Sequence, residues 1–488
     1  MLVLLLSIFS CWSSPAKTVS NRDLTLNFTS PADTLIIPGY DSLDKRVLRL
    51  NRVLIIGNKV TYDRIISREL SLKPGDTISA KNLKAVLLRD KNKIYNLKLF
   101  NTVALRTLEM PQNQIDLLVE VSERWYTFPA PIFELSDRNF NEWWQNYGHD
   151  FSRVNYGLRL YQYNFRGRNE TLQLTAQFGF TRFLNLSYRI PYIDRQQKHG
   201  LTFNFLYSEP KNAAYFTNNH KLEFLSLPRT VRITRGASVE YTFRKSFYET
   251  HSFGIDLRSS SVTDTIPLLN PNYYRNGSKS QYLAALSYSF NSEHRDVIQY
   301  PLKGYQFTGF ISKSGLGIGD DVNQFEVNLT YAKHIDLKKG FYFSNFSSAY
   351  VSTPTNQAYA NYSALGYRKL LVRGYEVYVI EGPNFFLNKT TLKKKIFSRN
   401  WRIESMPLEQ FRYFPIAIYL KTYLDLGYVE NYPLYRQSEI NNTFSDRLLS
   451  GVGTGIDFVT VYDTVLRFEY SFTRGGTQGF FFNIKKEF

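Results

Sequence analysis

From about Thr127 to the final Phe488 the chain is written in short stretches where every second residue is apolar, often Phe or Tyr. Alternation of period two gives a strand with one greasy face and one polar face. The stretches Thr171–Phe180, Leu184–Ile190, Leu201–Tyr207, Ser238–Phe243, Ser252–Arg258, Gln281–Phe290, Gly304–Ser312 and Gln324–His334 are read as strands. Later ones are Gly340–Val351, Ala417–Val429, Leu449–Phe458, Thr464–Phe472 and Gly479–Phe488, with a first strand at Thr127–Ser136. Asn-, Gly-, Ser- and Asp-rich gaps between them read as turns and loops. So many half-greasy strands, with so few helices between them, have no common soluble core. A cylinder with lipid outside and water inside satisfies them together. Residues 127–488, at roughly 22 residues per strand and connection, predict about 16 antiparallel strands.

Val47–Glu123 has a different texture. Val47 to Ile56 is a strand stopped by the turn dipeptide Gly57-Asn58. Thr61 is placed to cap a helix through Ile65, Ile66 and Leu70, which share one face. Pro74-Gly75-Asp76 ends it, and Ser79 is placed to cap a second helix carrying Leu83, Val86 and Leu87. Strands near Val103–Leu108 and Ile115–Val121 complete a β-α-α-β-β order. The predicted division is a signal peptide over 1–16, a linker over 17–44, the small α+β domain over 45–124 and the barrel over 125–488.

Composition supports this picture. Phe 38 and Tyr 36 in 488 residues supply the rings that a barrel places at both bilayer surfaces. After residue 10 no apolar run approaches the ~20 residues of a spanning helix. The net charge of +18 is dispersed, which fits a basic lumen and rims facing anionic headgroups and speaks against nucleic acid. Leu2–Phe9 followed by Ser14-Pro15-Ala16 reads as a secretory signal peptide, although no basic residue precedes the apolar run. The single cysteine, Cys11, lies in that segment and offers an acylation site as the alternative.

The spaced pattern Gly57-Asn58-x-x-Thr61, Pro74-Gly75-Asp76, Leu97-x-Leu99-Phe100-Asn101-x-Val103 and Ile115-Asp116-Leu117-x-Val119-x-Val121 resembles a POTRA domain. The resemblance implies a periplasmic module that docks clients or partners along its sheet edge, where unpaired backbone groups accept an extended strand. A passive spacer is the other reading. Further along, Val372-Arg373-Gly374-Tyr375 is followed by Tyr423-Leu424-Asp425-Leu426-Gly427. This pairing resembles the BamA/TamA family of surface-antigen barrels. Asn164-Phe165-Arg166-Gly167, Pro191-Tyr192 before Gly200, and Gly451-x-Gly453-x-Gly455 add to the likeness.

The resemblance implies that an external loop folds back into the lumen, with Arg373 meeting Asp425. Gly374 would then lie close to the wall beside Tyr375, and Gly427 belongs to the receiving strand. A guanidinium–carboxylate fork fixes such a loop in one pose, which lysine does not reproduce. One departure is visible. Where family members often carry a Glu, this chain reads Lys389-Thr390-Thr391-Leu392-Lys393-Lys394-Lys395, so three consecutive lysines are expected to alter the charge facing the latch.

The first strand contains Pro129 and Pro131, and proline, lacking an N–H, belongs on edges. Both are expected to face the C-terminal strand with Phe480, Phe482 and Phe488, leaving a weak seam. The alternative is that these prolines lie in a linker. Phe488 can also serve as a recognition tag for the chain's own assembly.

Catalysis finds no motif. The six histidines are scattered singly, and no nucleophile elbow or phosphate loop is present. No enzyme activity, metal or cofactor is expected. The expected protein is therefore an all-β transmembrane barrel in the bacterial outer membrane, preceded by one POTRA domain. By resemblance it inserts or assembles outer-membrane proteins. Its partners would be unfolded outer-membrane or secreted polypeptides, periplasmic or lipoprotein partners at the POTRA edge, and outer-membrane lipid. A polypeptide secretion pore and a barrel anchor for a partner protein are the alternatives. A single POTRA points to a specialised paralogue.

Overall fold

The computed structural model describes residues 35–36, 46–135, 151–366, 370–403, 405–406, 412–460, 464–476 and 478–486. The signal-peptide reading, Cys11 and Phe488 lie outside the described residues.

The small domain runs β1 (Leu35–Ile36), β2 (Val47–Ile56), α1 (Asp63–Ser67), β3 (Thr77–Ser79), α2 (Ala80–Asn96), β4 (Phe100–Met110) and β5 (Gln114–Glu123). Its sheet has the order β1-β4-β5-β2-β3. Alternation in β2 and β5 turns Leu48, Leu50, Ile115, Leu117, Val119 and Val121 to one face, where Ile65, Ile66, Leu83, Leu87 and Ile94 of the helices cover them. Burying each such side chain contributes about 1.5–3 kcal/mol, enough in sum to hold a small domain together. Asp90 of α2 fastens the chain after α1 by accepting from Ser71 N (2.8 Å), Ser71 Oγ (2.6 Å) and Lys93 Nζ (2.9 Å).

Three details differ from expectation. The short β3 is added between the helices, where it pairs with Val47–Arg49. Thr61 caps nothing: Tyr62 holds the N-cap position, and the Thr61 hydroxyl instead donates to Glu123 Oε1 at 2.6 Å. Ser79 does sit at the N-cap of α2, but without a side-chain cap bond.

Sixteen strands form the second sheet: β6 (Thr127–Leu135), β7 (Val154–Phe165), β8 (Glu170–Gly179), β9 (Thr181–Ile190) and β10 (His199–Pro210). After the hairpin β11 (Asn212–Asn218) and β12 (Lys221–Ser226) come β13 (Arg232–Arg244), β14 (Glu249–Val262), β15 (Ser280–Glu293), β16 (Gly304–Ser314), β17 (Gln324–Lys338) and β18 (Phe341–Thr353). A long loop holding β19 (Ala364–Leu365) and β20 (Ile380–Glu381) leads to β21 (Asn384–Arg402), β22 (Tyr413–Val429), β23 (Leu448–Val459), β24 (Thr464–Thr473) and β25 (Gln478–Lys486). Every neighbour in the order β6 to β25 is antiparallel. Neither β7 nor β21 is among the strands expected from the sequence, nor is the hairpin of β11 and β12.

The wall is uneven in height, with 10 residues in β8 and β9 against 19 in β21 and 17 in β22. Its outer face carries exposed Leu174, Phe205, Phe253, Ile255, Leu286, Leu329, Leu424 and Phe480. Inward positions carry Ser, Thr, Asn and charged residues, the division a lipid-exposed cylinder requires. The rim next to the small domain is the near rim. At the far rim, the loops pack into a cap around fully buried Tyr273, Tyr432 and Tyr435. In that cap Glu381 accepts from Thr217 Oγ1 (2.9 Å) and Tyr435 OH (2.8 Å), while Asn441 bridges Thr217 O and His220 N (2.8 Å each).

Candidate functional site

The small domain is clamped to four near-rim turns in succession. Asn164 Nδ2 donates to Thr61 Oγ1 (2.8 Å), and Tyr62 N donates to Gly167 O (3.0 Å). The Arg68 guanidinium lies 4.3 Å from the Tyr192 ring centre. Arg244 forks onto buried Glu69 with contacts of 2.6 and 2.8 Å, and Lys93 sits 3.7 Å above the Phe247 ring. Finally Asn96, at the end of α2, donates to Asp296 O (3.1 Å) and accepts from Ile298 N (3.2 Å). The motif residues Asn164, Gly167 and Tyr192 thus belong to the junction between the two domains.

The fourth turn, 294–303, does more than touch the small domain. Asp296 Oδ1 accepts from the amides of Val297, Leu302 and Lys303 at 2.8–3.2 Å, which folds the turn tightly. Its Tyr300 enters the lumen, with the hydroxyl 2.9 Å from Asp457 Oδ2 on β23 and the ring 4.9 Å from that of Tyr419. Lys393 Nζ lies 4.1 Å over the Tyr300 ring.

From Asp457 a run of buried charges climbs the inner wall. Lys421 Nζ lies 2.5 Å from Asp457 and 2.8 Å from Glu469, and Glu469 lies 3.4 Å from Arg373 Nη1. Arg373 then grips Asp425 three times: Nη2 to Oδ1 at 2.5 Å, Nε to Oδ2 at 2.8 Å and its own backbone N to Oδ2 at 3.1 Å. A further bond runs from Nη2 to Thr391 Oγ1 (3.1 Å), and the guanidinium stacks 3.7 Å over Tyr423. In this shielded place the charges are mutually dependent, since one left alone keeps its desolvation cost.

Glycines admit the loop to the wall. Gly374 has φ +98°, and a Cβ there would stand 2.5 Å from Thr473 Cγ2. A Cβ on Gly427 would meet Val372 Cγ2 at 2.5 Å, and one on Gly451 would strike the carbonyl of Arg373. Tyr375 is buried edge-on to Phe444 (5.3 Å, 85°) in a cluster with Val372, Leu365, Leu387 and Leu449.

The three lysines of β21 do not face the latch together, which corrects the expectation. Strand alternation sends Lys393 inward to Tyr300 and Lys394 outward over Phe341, at 4.0 Å from its ring. The lysine level with Asp425 is Lys389, its register partner. The second carboxylate at Arg373 comes from Glu469, which sequence reading did not single out. Lys421, four residues before Asp425 on the same strand face, and Asp457, two after Gly455, were the available signals.

The two ends of the sheet are β6 and β25, and among the described residues no ladder joins them. Tyr163 N donates to Tyr126 O, so Tyr126 and the even-numbered residues of β6 turn their backbone groups to β7. Pro129 and Pro131 therefore fall on the opposite, free edge. On that edge Thr127 O accepts from the Trp125 indole. Phe480 and Phe482 point outward from β25, across from Tyr470 and Phe468.

The family model for POTRA, the surface antigen variable number repeat, matches residues 48–124. Among solved structures, the chain is similar to BamA from Haemophilus ducreyi lacking POTRA domains 1–3, at 15% identity over 90% of this chain and 85% of that one, with a TM-score of 0.50. The chain is a POTRA domain joined to a 16-stranded barrel of the outer-membrane type. This POTRA–barrel chain is also similar to CdiB from Escherichia coli, at 11% identity over 90% of this chain and 76% of that one, with a TM-score of 0.54. At such identities the likeness is one of fold. No curated protein sequence matches it.

Proposed function

We propose that this POTRA–barrel protein sits in a bacterial outer membrane with its POTRA domain in the periplasm, and that it assembles other barrel chains there without catalysing a reaction. The observation that carries the reading is the edge between β6 and β25, unladdered among the described residues, with Pro129 and Pro131 on it. Backbone groups that lack a partner in lipid are costly, so such an edge favours a visiting strand. The POTRA domain, held under the near rim, would deliver that strand in extended form.

The occupied lumen supports assembly over a standing pore. Arg373, Tyr300 and the far-rim cap fill the path that a secreted polypeptide would take. The test is photo-crosslinking from Ile132 and Phe480 in intact envelopes, together with deletion of residues 45–124. Assembly predicts adducts with several unfolded barrel chains, and falling barrel levels on deletion. Adducts with one secreted protein, or with one fixed companion alone, would instead establish the secretion or the anchoring role.

A further inference from the structure

The outer wall is apolar on most strands, but β18 and β21 break the pattern. Alternation with exposed Phe341, Val351, Phe386 and Leu392 places Asn345, Ser347, Asn388 and Thr390 on the lipid-facing side. These four bond to one another. Asn345 Nδ2 donates to Thr390 Oγ1 (2.9 Å) and to Asn388 Oδ1 (3.2 Å), and Asn388 Nδ2 donates to Ser347 Oγ (2.8 Å). Mutual bonding lowers the cost of amides in oil without removing it, because each amide has more bonding sites than one neighbour fills.

Two cations flank the patch on the same face. Lys333 is the register partner of both Asn345 and Tyr305, and its Nζ lies 5.4 Å from the Tyr305 ring centre. Lys394 Nζ sits 4.0 Å over the Phe341 ring and donates to Lys339 O (2.7 Å). Among the described residues neither lysine has a carboxylate partner, and the outward positions of β16, β17, β18 and β21 carry no Asp or Glu. Four residues separate Asn345 from the near end of β18. At ~3.3 Å per residue and ~40° tilt that is about 10 Å of height, within reach of a headgroup and its glycerol.

We propose that Lys333, Lys394 and the Asn345–Thr390 patch bind the headgroup of an anionic phospholipid in the near leaflet, periplasmic in the orientation given above. The lysines meet the phosphate, and the amides and hydroxyls meet the glycerol or second headgroup oxygens. The surrounding Phe343 and Leu392 lie along the acyl chains. A second copy of the chain fits less well, because a two-fold contact would bring the two Lys333 ammonium groups toward each other.

The test uses the full chain in nanodiscs of phosphatidylethanolamine, alone or mixed with phosphatidylglycerol, with retained lipid read by native mass spectrometry. The wild type is expected to retain phosphatidylglycerol over phosphatidylethanolamine by roughly tenfold or more, the effect of two lysines at a surface. Lys333→Gln with Lys394→Gln should bring retention near parity, while Lys333→Arg with Lys394→Arg keeps the preference. Lys313→Gln, at the far end of the same wall, should leave it unchanged. If the double glutamine variant does not fold, each single substitution should still lose severalfold. The absence of a preference in the wild type, or its survival in a folded glutamine variant, overturns the proposal. A photo-crosslinker at Asn345 that captures a protein in envelopes rather than lipid also overturns it.

Discussion

Tyr300 and Asp457 meet hydroxyl to carboxylate at 2.9 Å across the lumen, joining a turn that touches the POTRA domain to a strand in the charge run below Arg373. Asn96 holds one side of that turn and Lys421 the far side of Asp457. The contacts between the POTRA helix and the loop at Asp425 are therefore continuous.

Tyr300→Phe keeps the ring on Tyr419 and removes only the bond to Asp457. A bond to a charged group contributes about 1.5–3 kcal/mol, so a measurable loss of stability is expected. In a double-mutant cycle with Lys421→Met, folding free energies should deviate from additivity. Strict additivity would mean that the two contacts are independent.

Arg373→Ala leaves Asp425 buried without the forked partner that holds it. Loss of one partner of a buried pair costs about 3–5 kcal/mol, and Arg373→Lys should recover only part of it. Protease sensitivity of the loop between β18 and β21 is the readout, and wild-type resistance in the alanine variant would contradict it.

Glu69→Gln takes the carboxylate from Arg244, the two-pronged contact of the domain junction. Spin labels on α2 and on the turn 245–248 should show a broader distance distribution than in the wild type. An unchanged distribution would show that Arg68–Tyr192 and Asn96 suffice to hold the domain.

His220, in the far-rim cap, is buried, and burial lowers its pKa to about 4 from an ordinary value near 6.5. Nε2 accepts from Phe444 N at 3.0 Å, which suits the neutral ring. Protonation therefore favours the opened cap. The cap's stability is complete above about pH 6.5 and falls as pH drops toward about 4. Hydrogen exchange at Val379 and Phe444 should accelerate over that window in the wild type and not in His220→Gln.

Gly451→Ala places a methyl group against the Arg373 carbonyl. Since neither backbone can yield cheaply, the loop should be expelled about as effectively as by loss of the salt bridge. Chemical labelling of a cysteine introduced at Val377 would then rise to the level seen in Arg373→Ala.

The wall was legible where one face is apolar and the other is not. Phe253, Ile255 and Leu257 on β14 alternate with Ser252, Gly254 and Asp256, and no helix competes. β7 was not, because Tyr161 faces the lumen while Tyr156 and Leu158 face out, so aromatic residues fall on both sides. The separation of 52 positions from Arg373 to Asp425 carries no spacing signal, and only resemblance pairs them in sequence. Glu469 lies 96 residues from Arg373 and Tyr300 lies 157 from Asp457, so the rest of the charge run requires the curl of the sheet.

A cylinder whose staves differ as β8 and β21 do has no single waterline. Ten residues at ~40° rise about 25 Å and nineteen rise about 48 Å. Lipid beside the short staves must compress, or the whole cylinder must lean. The short staves begin one strand in from β6, beyond β7, so bilayer strain gathers on the flank where the sheet begins.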